Sequence, residues 1–341
     1  MISVGLIGYG YWGPKLARNF VDSRGCRLAA ICDLNPERLA AAASRYPSIP
    51  ALDDADAILL DPKIDAVVIA TPVSSHFELA RRALRAGKHV LVEKPLTSTA
   101  ADAERLIEEA ARMDRVLMVD HTFAYTGAVG KIRELVRGGD LGEINYYDST
   151  RVNLGLFQHD VSVVWDLAVH DLSIMDHILG DAPTAVSATG IRHVPGAPEN
   201  VAYLTLFFDR SMIAHINVNW LAPVKVRRTL IGGSRKMVVY DDLEPSEKVK
   251  VYDKGITVAN ETENLYKTLV GYRTGDMWAP QFDMTEALTT EIAHFLRCIE
   301  GRERPLTDGQ AGLRVVRILE AASQSLVERG RPVELDLEVV S

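Results

Sequence analysis

The sequence predicts an α/β protein in two parts. An N-terminal doubly wound parallel sheet is followed by an α+β domain with a large open, mainly antiparallel sheet. Three observations predict this. Short apolar, β-branched runs alternate with helical patterns through the first 120 or so residues. Longer runs with much alternation and few helices between them follow from about residue 140. The chain has 341 residues, more than one core usually organises, so two domains are expected, divided as 1–121 and 122–341.

Taken in order, the first part offers strands at ISVGLIG (2–8), RLAAICD (27–33), DAVVIATP (65–72), HVLVEKP (89–95) and VLMVD (116–120). Helical patterns lie between them at GPKLARNF (13–20), PERLAAAASRY (36–46), HFELARRALRAG (76–87) and TAADAERLIEEAARM (99–113). Pro36 opens its helix at the first turn and Gly87 closes another. Strands joined by helices require parallel crossovers. The second part offers strands at EINYYDSTRVNL (143–154), TAVSATGIRHV (184–194), VAYLTLFF (201–208), MIAHINVNW (212–220), VRRTLIGG (226–233) and KMVVYDD (236–242). Two long helices close the chain, TEALTTEIAHFLRCIEG (285–301) and GLRVVRILEAASQSLVERG (312–330).

Composition narrows the partners. Apolar residues make up 47% and charged residues 25%, the balance of a globular enzyme. Net charge is −8 with no block of like charge, which argues against nucleic acid, since phosphate backbones need a basic face. Small anions remain possible ligands of a local basic pocket. Cys26, Cys32 and Cys298 have no metal-like spacing and cannot all pair, which fits a reduced, cytoplasmic compartment. MISVGLIGYGYWG enters folded structure at once and has no secretory pattern, and no apolar run is long enough for a membrane span.

Gly8-Tyr9-Gly10-Tyr11-Trp12-Gly13 is a full G-x-G-x-x-G between an apolar strand and a helix, with Asp33 about 20 residues on, at the end of the next strand. Gly8 permits the tight turn, Gly10 lets backbone approach a pyrophosphate, and Gly13 lets helix pack on strand. The diphosphate then meets the helix N-terminus, flanked by Tyr11 and Trp12. Asp33 suits a ribose diol and repels a 2′-phosphate. Leu34-Asn35-Pro36-Glu37 brings no cation, so NAD is favoured over NADP. Thr71 and Pro72 end a buried strand, where such sheets face their ligand, with His76 just beyond. His76 also reads simply as the start of a helix. Glu93-Lys94-Pro95 ends another strand, which brings Glu93 and Lys94 to the same crevice edge as the cofactor. Pro95 restricts the backbone of Lys94 to extended forms.

In VSVVWDLAVHDLSIM (161–175), Asp166 and His170 stand at i and i+4 in an apolar run. On a helix they share a face and can hydrogen-bond. Buried, each is costly unless paired. Oxidation of an alcohol by NAD needs a base for the hydroxyl proton, and histidine suits that task near neutral pH. A carboxylate beside it orients the ring and favours the imidazolium. Two other readings stay open: a satisfied core Asp–His pair, and a metal site using His170, Asp171 and Asp166. No further His or Cys lies at ligand spacing, so no metal is expected.

GYGYWG, VIATPVSSH, AGKHVLVEKPLT and DLAVHD resemble the Gfo/Idh/MocA oxidoreductases, the group of glucose–fructose oxidoreductase and inositol dehydrogenase, along essentially the whole chain. The resemblance implies a Rossmann domain, a C-terminal domain with an open sheet, no metal, and NAD(P)-dependent redox chemistry on a sugar or polyol CH–OH group. It implies that Lys94 lies near the reacting hydroxyl, His170 is the general acid/base and Asp166 stands beside it. It also implies a homodimer or homotetramer. Two segments depart from the family pattern: Leu167-Ala168-Val169 lacks a glycine, and Asp120-His121-Thr122-Phe123-Ala124-Tyr125 replaces an Asn-Tyr-Arg-Phe-like run.

GYGYWGPKLARNF, VDHTFAYTGAV and YYDSTRVNLGLFQHDVSVVWDLAVHDLSIMD are similar to a nucleotide-sugar subgroup whose members oxidise the C3 hydroxyl of UDP-N-acetylglucosamine or its uronic acid. Tyr125, Arg151, Asn153, Gln158 and His159 join Lys94, Asp166 and His170 as candidate substrate contacts. Lys225, Arg227 and Arg228 suit a diphosphate, or equally a solvated sheet edge. The expected function is NAD-dependent oxidation of such a sugar. Oxidation of a free polyol, reduction of a keto sugar, and a cofactor-binding regulator on the same scaffold are the alternatives.

Overall fold

The computed structural model describes residues 1–155, 161–259 and 269–337. Gln158 and His159 lie outside the described residues. The chain divides into two compact units, Met1–Thr126 with Thr285–Glu320, and Gly127–Met284 with Ala321–Ser341.

The first unit begins β1 (Ile2–Ile7), α1 (Gly13–Asp22), β2 (Cys26–Cys32), α2 (Pro36–Arg45), β3 (Ala51–Leu52), α3 (Asp56–Leu59) and β4 (Ala66–Ile69). It continues α4 (His76–Arg85), β5 (His89–Glu93), α5 (Ala100–Met113) and β6 (Leu117–Asp120). Six strands pair in parallel in the order β3-β2-β1-β4-β5-β6, which reverses direction at β1/β4. That reversal opens a crevice at the C-terminal edge of the sheet, where doubly wound folds bind ligands. The strand interiors are buried on both faces, as Val4, Leu6, Val67, Val68, Val90 and Leu91 show. Helix starts follow the sequence. Asn35 caps α2 through the N–H groups of Glu37 and Arg38, and Thr99 caps α5 through Asp102 N–H. Past α4, Gly87 takes the left-handed φ of +75°.

The second unit comprises α6 (Gly127–Arg137), β7 (Ile144–Leu154), α7 (Val169–Leu179), β8 (Ala185–Ile191), β9 (Val201–Phe207), β10 (Ile213–Asn219), β11 (Leu221–Gly233) and β12 (Met237–Asp241). Further on lie β13 (Val249–Tyr252), β14 (Gly255–Ala259), β15 (Leu269–Arg273) and β16 (Met277–Trp278). The chain then forms α8 (Ala287–Ile299), α9 (Gly309–Val327) and β17 (Val333–Glu334). Nine strands order as β16-β13-β12-β11-β7-β10-β9-β8-β17, antiparallel except where β10 meets β7. Alternation sorts the faces: Ala202, Leu204 and Leu206 of β9 point into the core, while Tyr203 and Phe207 are exposed.

The compact units do not follow a linear division at 121/122. Residues 285–320 pack in the first unit, because α8 sets Leu288, Ile292, Phe295 and Leu296 in one core with Leu16, Phe20 and Tyr125. Among the described residues, no helix is long and apolar enough to cross a membrane.

Candidate active site

In the first unit the glycine loop connects β1 to α1. Gly8 has φ of +101°, and a Cβ there would lie 2.4 Å from the carbonyl oxygen of Ala70. A Cβ on Gly13 would lie 2.3 Å from the carbonyl oxygen of Gly8, so helix and loop touch backbone to backbone. Gly10 differs. Its nearest protein neighbour would be the Arg38 guanidinium at 3.5 Å, an ordinary contact, so packing alone does not require glycine there. The space suits a group brought close to the loop from outside. α1 carries no side-chain cap and no acid in its first turn, which leaves its N–H groups and dipole to an anion. Gly8, Gly10 and Gly13 thus fit a dinucleotide diphosphate.

Asp33 is buried and fastened to this loop. Its Oδ2 accepts from Tyr9 N–H at 2.6 Å and its Oδ1 from Asn35 N–H at 2.8 Å, which leaves carboxylate lone pairs for a ribose diol. Arg38 Nη1 lies 3.7 Å from Asp33 Oδ2. Arg38 lies one residue beyond the Leu34–Glu37 stretch that follows Asp33, and the first turn of α2 brings it back to that carboxylate. Tyr11 is largely exposed, and Lys15 Nζ lies 4.4 Å and 4.2 Å from the Tyr11 and Trp12 ring centroids.

Thr71 and Pro72 follow β4 at the crevice edge, and Thr71 Oγ1 accepts from Ser75 Oγ at 2.7 Å. His76 departs from its expected cofactor role. It is buried, with Nδ1 2.9 Å from the Pro95 carbonyl and Nε2 2.8 Å from the Thr71 carbonyl. Both ring nitrogens face carbonyl oxygens at the ends of β4 and β5, so neither is turned toward a ligand. The start-of-helix reading describes it better, since His76 opens α4.

Glu93 is the last residue of β5, paired in register with Asp120 of β6, and Lys94 stands one residue beyond. The Lys94–Pro95 peptide bond is cis. Lys94 and Glu93 are half-buried. The charge of Lys94 is felt nearby: burial and Lys94 together push the His121 imidazole down to about 3. Neither ring nitrogen of His121 has a hydrogen-bond partner among the described residues. Beside it, Asp120 Oδ2 accepts from Trp12 Nε1 at 2.7 Å, tying the glycine loop to the end of β6. Glu291 of α8 is fully buried, and burial, Asp120 and Glu93 push its carboxyl well above the ordinary range. The departure at Asp120-His121 was visible in the sequence. Glu291 carried no signal, because its partners lie far away in the chain.

Tyr125 also departs from expectation. It is buried, and its hydroxyl lies 3.0 Å from Thr307 Oγ1, with its acidity suppressed by burial and then by Glu291.

In the second unit, Asp166 sits in a π turn, Val164–Ala168, that runs directly into α7. Such turns recur at functional positions. Asp166 Oδ2 accepts from Trp220 Nε1 at 3.0 Å, an anchor from the residue between β10 and β11. His170 is half-buried in the first turn of α7, and its carbonyl accepts from Ser173 Oγ at 2.8 Å. Asn153 is half-buried near the end of β7. Arg151 does not match its expected contact with sugar hydroxyls. Only 2% exposed, it is bound to the Asp171 carboxylate, with Nε 2.6 Å from Oδ2. β7 pairs in mid-sheet and alternation turns Arg151 inward. Arg227 is likewise ion-paired, to Asp242 at 3.1 Å, while Lys225 and Arg228 are exposed.

Comparison with known proteins places these features in a lineage. The family profile described as oxidoreductase family, NAD-binding Rossmann fold matches residues 2–121, and that of the C-terminal alpha/beta domain matches residues 133–335. The chain belongs to the Gfo/Idh/MocA oxidoreductase family. It is an NAD-binding oxidoreductase, and the glycine loop and Asp33 supply the fit for that cofactor. The UDP-N-acetylglucosamine 3-dehydrogenase of Acidithiobacillus ferrooxidans is 29% identical over 318 residues, covering 92% of this chain and 93% of that protein. Its solved structure superposes with a TM-score of 0.80 at 26% identity, covering 95% of this chain and 97% of that one. The myo-inositol 2-dehydrogenase of Thermotoga maritima is 25% identical over 344 residues, 98% of each chain.

Proposed function

We propose that this Gfo/Idh/MocA protein oxidises a secondary alcohol of a nucleotide-linked sugar, the C3 hydroxyl of a UDP-N-acetylhexosamine or its uronic acid. The observation that carries the proposal is the end-to-end likeness to a UDP-N-acetylglucosamine 3-dehydrogenase, 29% over nine-tenths of both chains. NAD, when bound, supplies the hydride acceptor. Gly8, Gly10, Tyr11, Trp12, Gly13, Asp33, Thr71, Pro72 and Glu93 hold it. His170 takes the hydroxyl proton, a task that suits an imidazole. Asp166, held by Trp220, keeps the ring aligned and favours the imidazolium once formed. Lys94 stabilises developing alkoxide charge. Asn153 contacts the sugar.

A second reading has its own support. The full-length likeness to a myo-inositol 2-dehydrogenase favours a free polyol as substrate. Reduced-nicotinamide absorbance separates the two. Purified protein and NAD are mixed with UDP-N-acetylglucosamine, its uronic acid or myo-inositol, each with a carbonyl trap that pulls ketone formation forward. A signal with a UDP-sugar alone is expected. A signal with inositol alone replaces this reading with the polyol one.

The proposal includes a homo-oligomer in a reducing, cytoplasmic setting. Tyr203, Phe207 and Ile213 stand exposed on neighbouring strands of one sheet face, an apolar surface of the kind a second copy covers. All three cysteines are buried free thiols.

A further inference from the structure

Three successive inward-facing side chains of β7 converge on a single residue, and that residue follows His170. Arg151 donates to the Asp171 carboxylate through Nε at 2.6 Å and Nη2 at 3.4 Å. Ser149 Oγ donates to Asp171 Oδ1 at 2.6 Å. Tyr147 donates its hydroxyl to the Asp171 backbone carbonyl at 3.4 Å. All four residues are buried, with Tyr147 and Ser149 fully so. Burial opposes the charge on Arg151, and Asp171 outweighs it, holding the guanidinium above its usual range.

Stability alone explains this poorly. Removing two ions from water costs several kcal/mol each, and apolar pairs of similar volume are often as stable. An apolar pair lacks direction, however. A guanidinium fork and a hydroxyl fix a carboxylate in three dimensions, and Asp171 lies in the first turn of α7. Rotation of that turn about its axis swings His170 with it. The π turn just before it is held separately, through Asp166 and Trp220.

We propose that Arg151 and Ser149 are positioning residues that act through Asp171 to aim the His170 imidazole. The inference rests on the reading of His170 as proton acceptor. An inward charge pair thereby becomes part of the catalytic geometry without touching substrate. Misplacing a reacting group by about 1 Å can cost on the order of 100-fold in rate.

The test uses the full chain with NAD and UDP-N-acetylglucosamine, and compares R151M/D171L, R151K and H170A with the wild type. The double variant removes both charges together, so it leaves no uncompensated ion and is expected to melt near the wild type. Its kcat is expected to fall about 10- to 100-fold with KM changed less than about threefold. Its rate should keep rising with pH where the wild type levels off, because solution base replaces a misaimed imidazole. R151K keeps the charge without the fork and should fall between. Retention of kcat within twofold in R151M/D171L overturns the proposal, and so does a loss matched by a rise in KM and a fall in Tm. A substrate-free readout separates this from the functional reading. In 13C-histidine spectra the His170 signal, assigned by its absence in H170A, should move in R151M/D171L; an unmoved signal refutes the clamp. Full turnover in H170A would instead refute the base assignment, whatever the signal does.

Discussion

The glycine loop and the segment around His170 build their chemistry in opposite ways. In the loop, function lies in the backbone: Gly8 and Gly13 are dictated by carbonyl oxygens of Ala70 and Gly8 less than 3 Å from a would-be Cβ. Around His170, the proposed function lies in side chains whose neighbours are held from other elements: Trp220 on Asp166, Arg151 and Ser149 on Asp171. A backbone device is written locally, as a spacing of small residues. A side-chain device is distributed, and each of its parts looks ordinary alone.

The contrast breaks most readily at Gly8. Gly8→Ala places a Cβ against the Ala70 carbonyl at a left-handed φ. We expect a loss of about 2–4 kcal/mol in chemical denaturation and no measurable NAD binding by nicotinamide-site titration. Gly10→Ala sharpens the point, since a Cβ there makes only an ordinary contact with Arg38. Stability should stay within about 1 kcal/mol while NAD affinity falls. Equal stability losses at both positions would mean that the loop is merely packed.

The next effect concerns cofactor choice. Asp33 faces Arg38, and its removal leaves that guanidinium unopposed at the ribose end of the site. Asp33→Ser should lower kcat/KM with NAD about 10- to 100-fold and raise it with NADP, since about 1–3 kcal/mol attends a lost or gained charged hydrogen bond. An unchanged NADP/NAD ratio would contradict the assignment of Asp33 to the ribose.

The smallest effect is a pH dependence. Burial, and then Asp120 and Glu93, push the Glu291 carboxyl up, so its folded pKa lies above its unfolded one. The folded state then binds more protons than the unfolded state above about pH 4.5, and stability declines as pH rises from there. Glu291→Gln has no proton to lose. Its Tm should match the wild type near pH 4 and exceed it by pH 8. A constant difference between the two melting curves would show that Glu291 does not stay protonated.

The same contrast explains what was legible in the sequence. The crossover pattern follows from local rules, and the sheet order agrees with it; the glycine spacing, Asp33 and the strand-ending Glu93-Lys94-Pro95 are likewise written locally. The open antiparallel sheet was legible from the alternation in β9 and β10. Arg151 and Tyr125 were placed on the wrong side of their elements' work. A polar residue in an alternating strand reads as solvent-facing until its partner is known, and Asp171 lies 20 positions away. Tyr125 meets Thr307, 182 positions away, which no local pattern encodes. The packing of α8 with the nucleotide-binding unit escaped for the same reason.

The most direct measurement is NAD affinity set beside turnover in Lys94→Ala and His170→Ala, with the UDP-sugar as alcohol. The account predicts NAD dissociation constants within about threefold of the wild type, with kcat lower by about 100-fold or more. Loss of NAD binding with turnover per bound cofactor unchanged would contradict it, and would make both residues part of the cofactor's seat rather than of the chemistry.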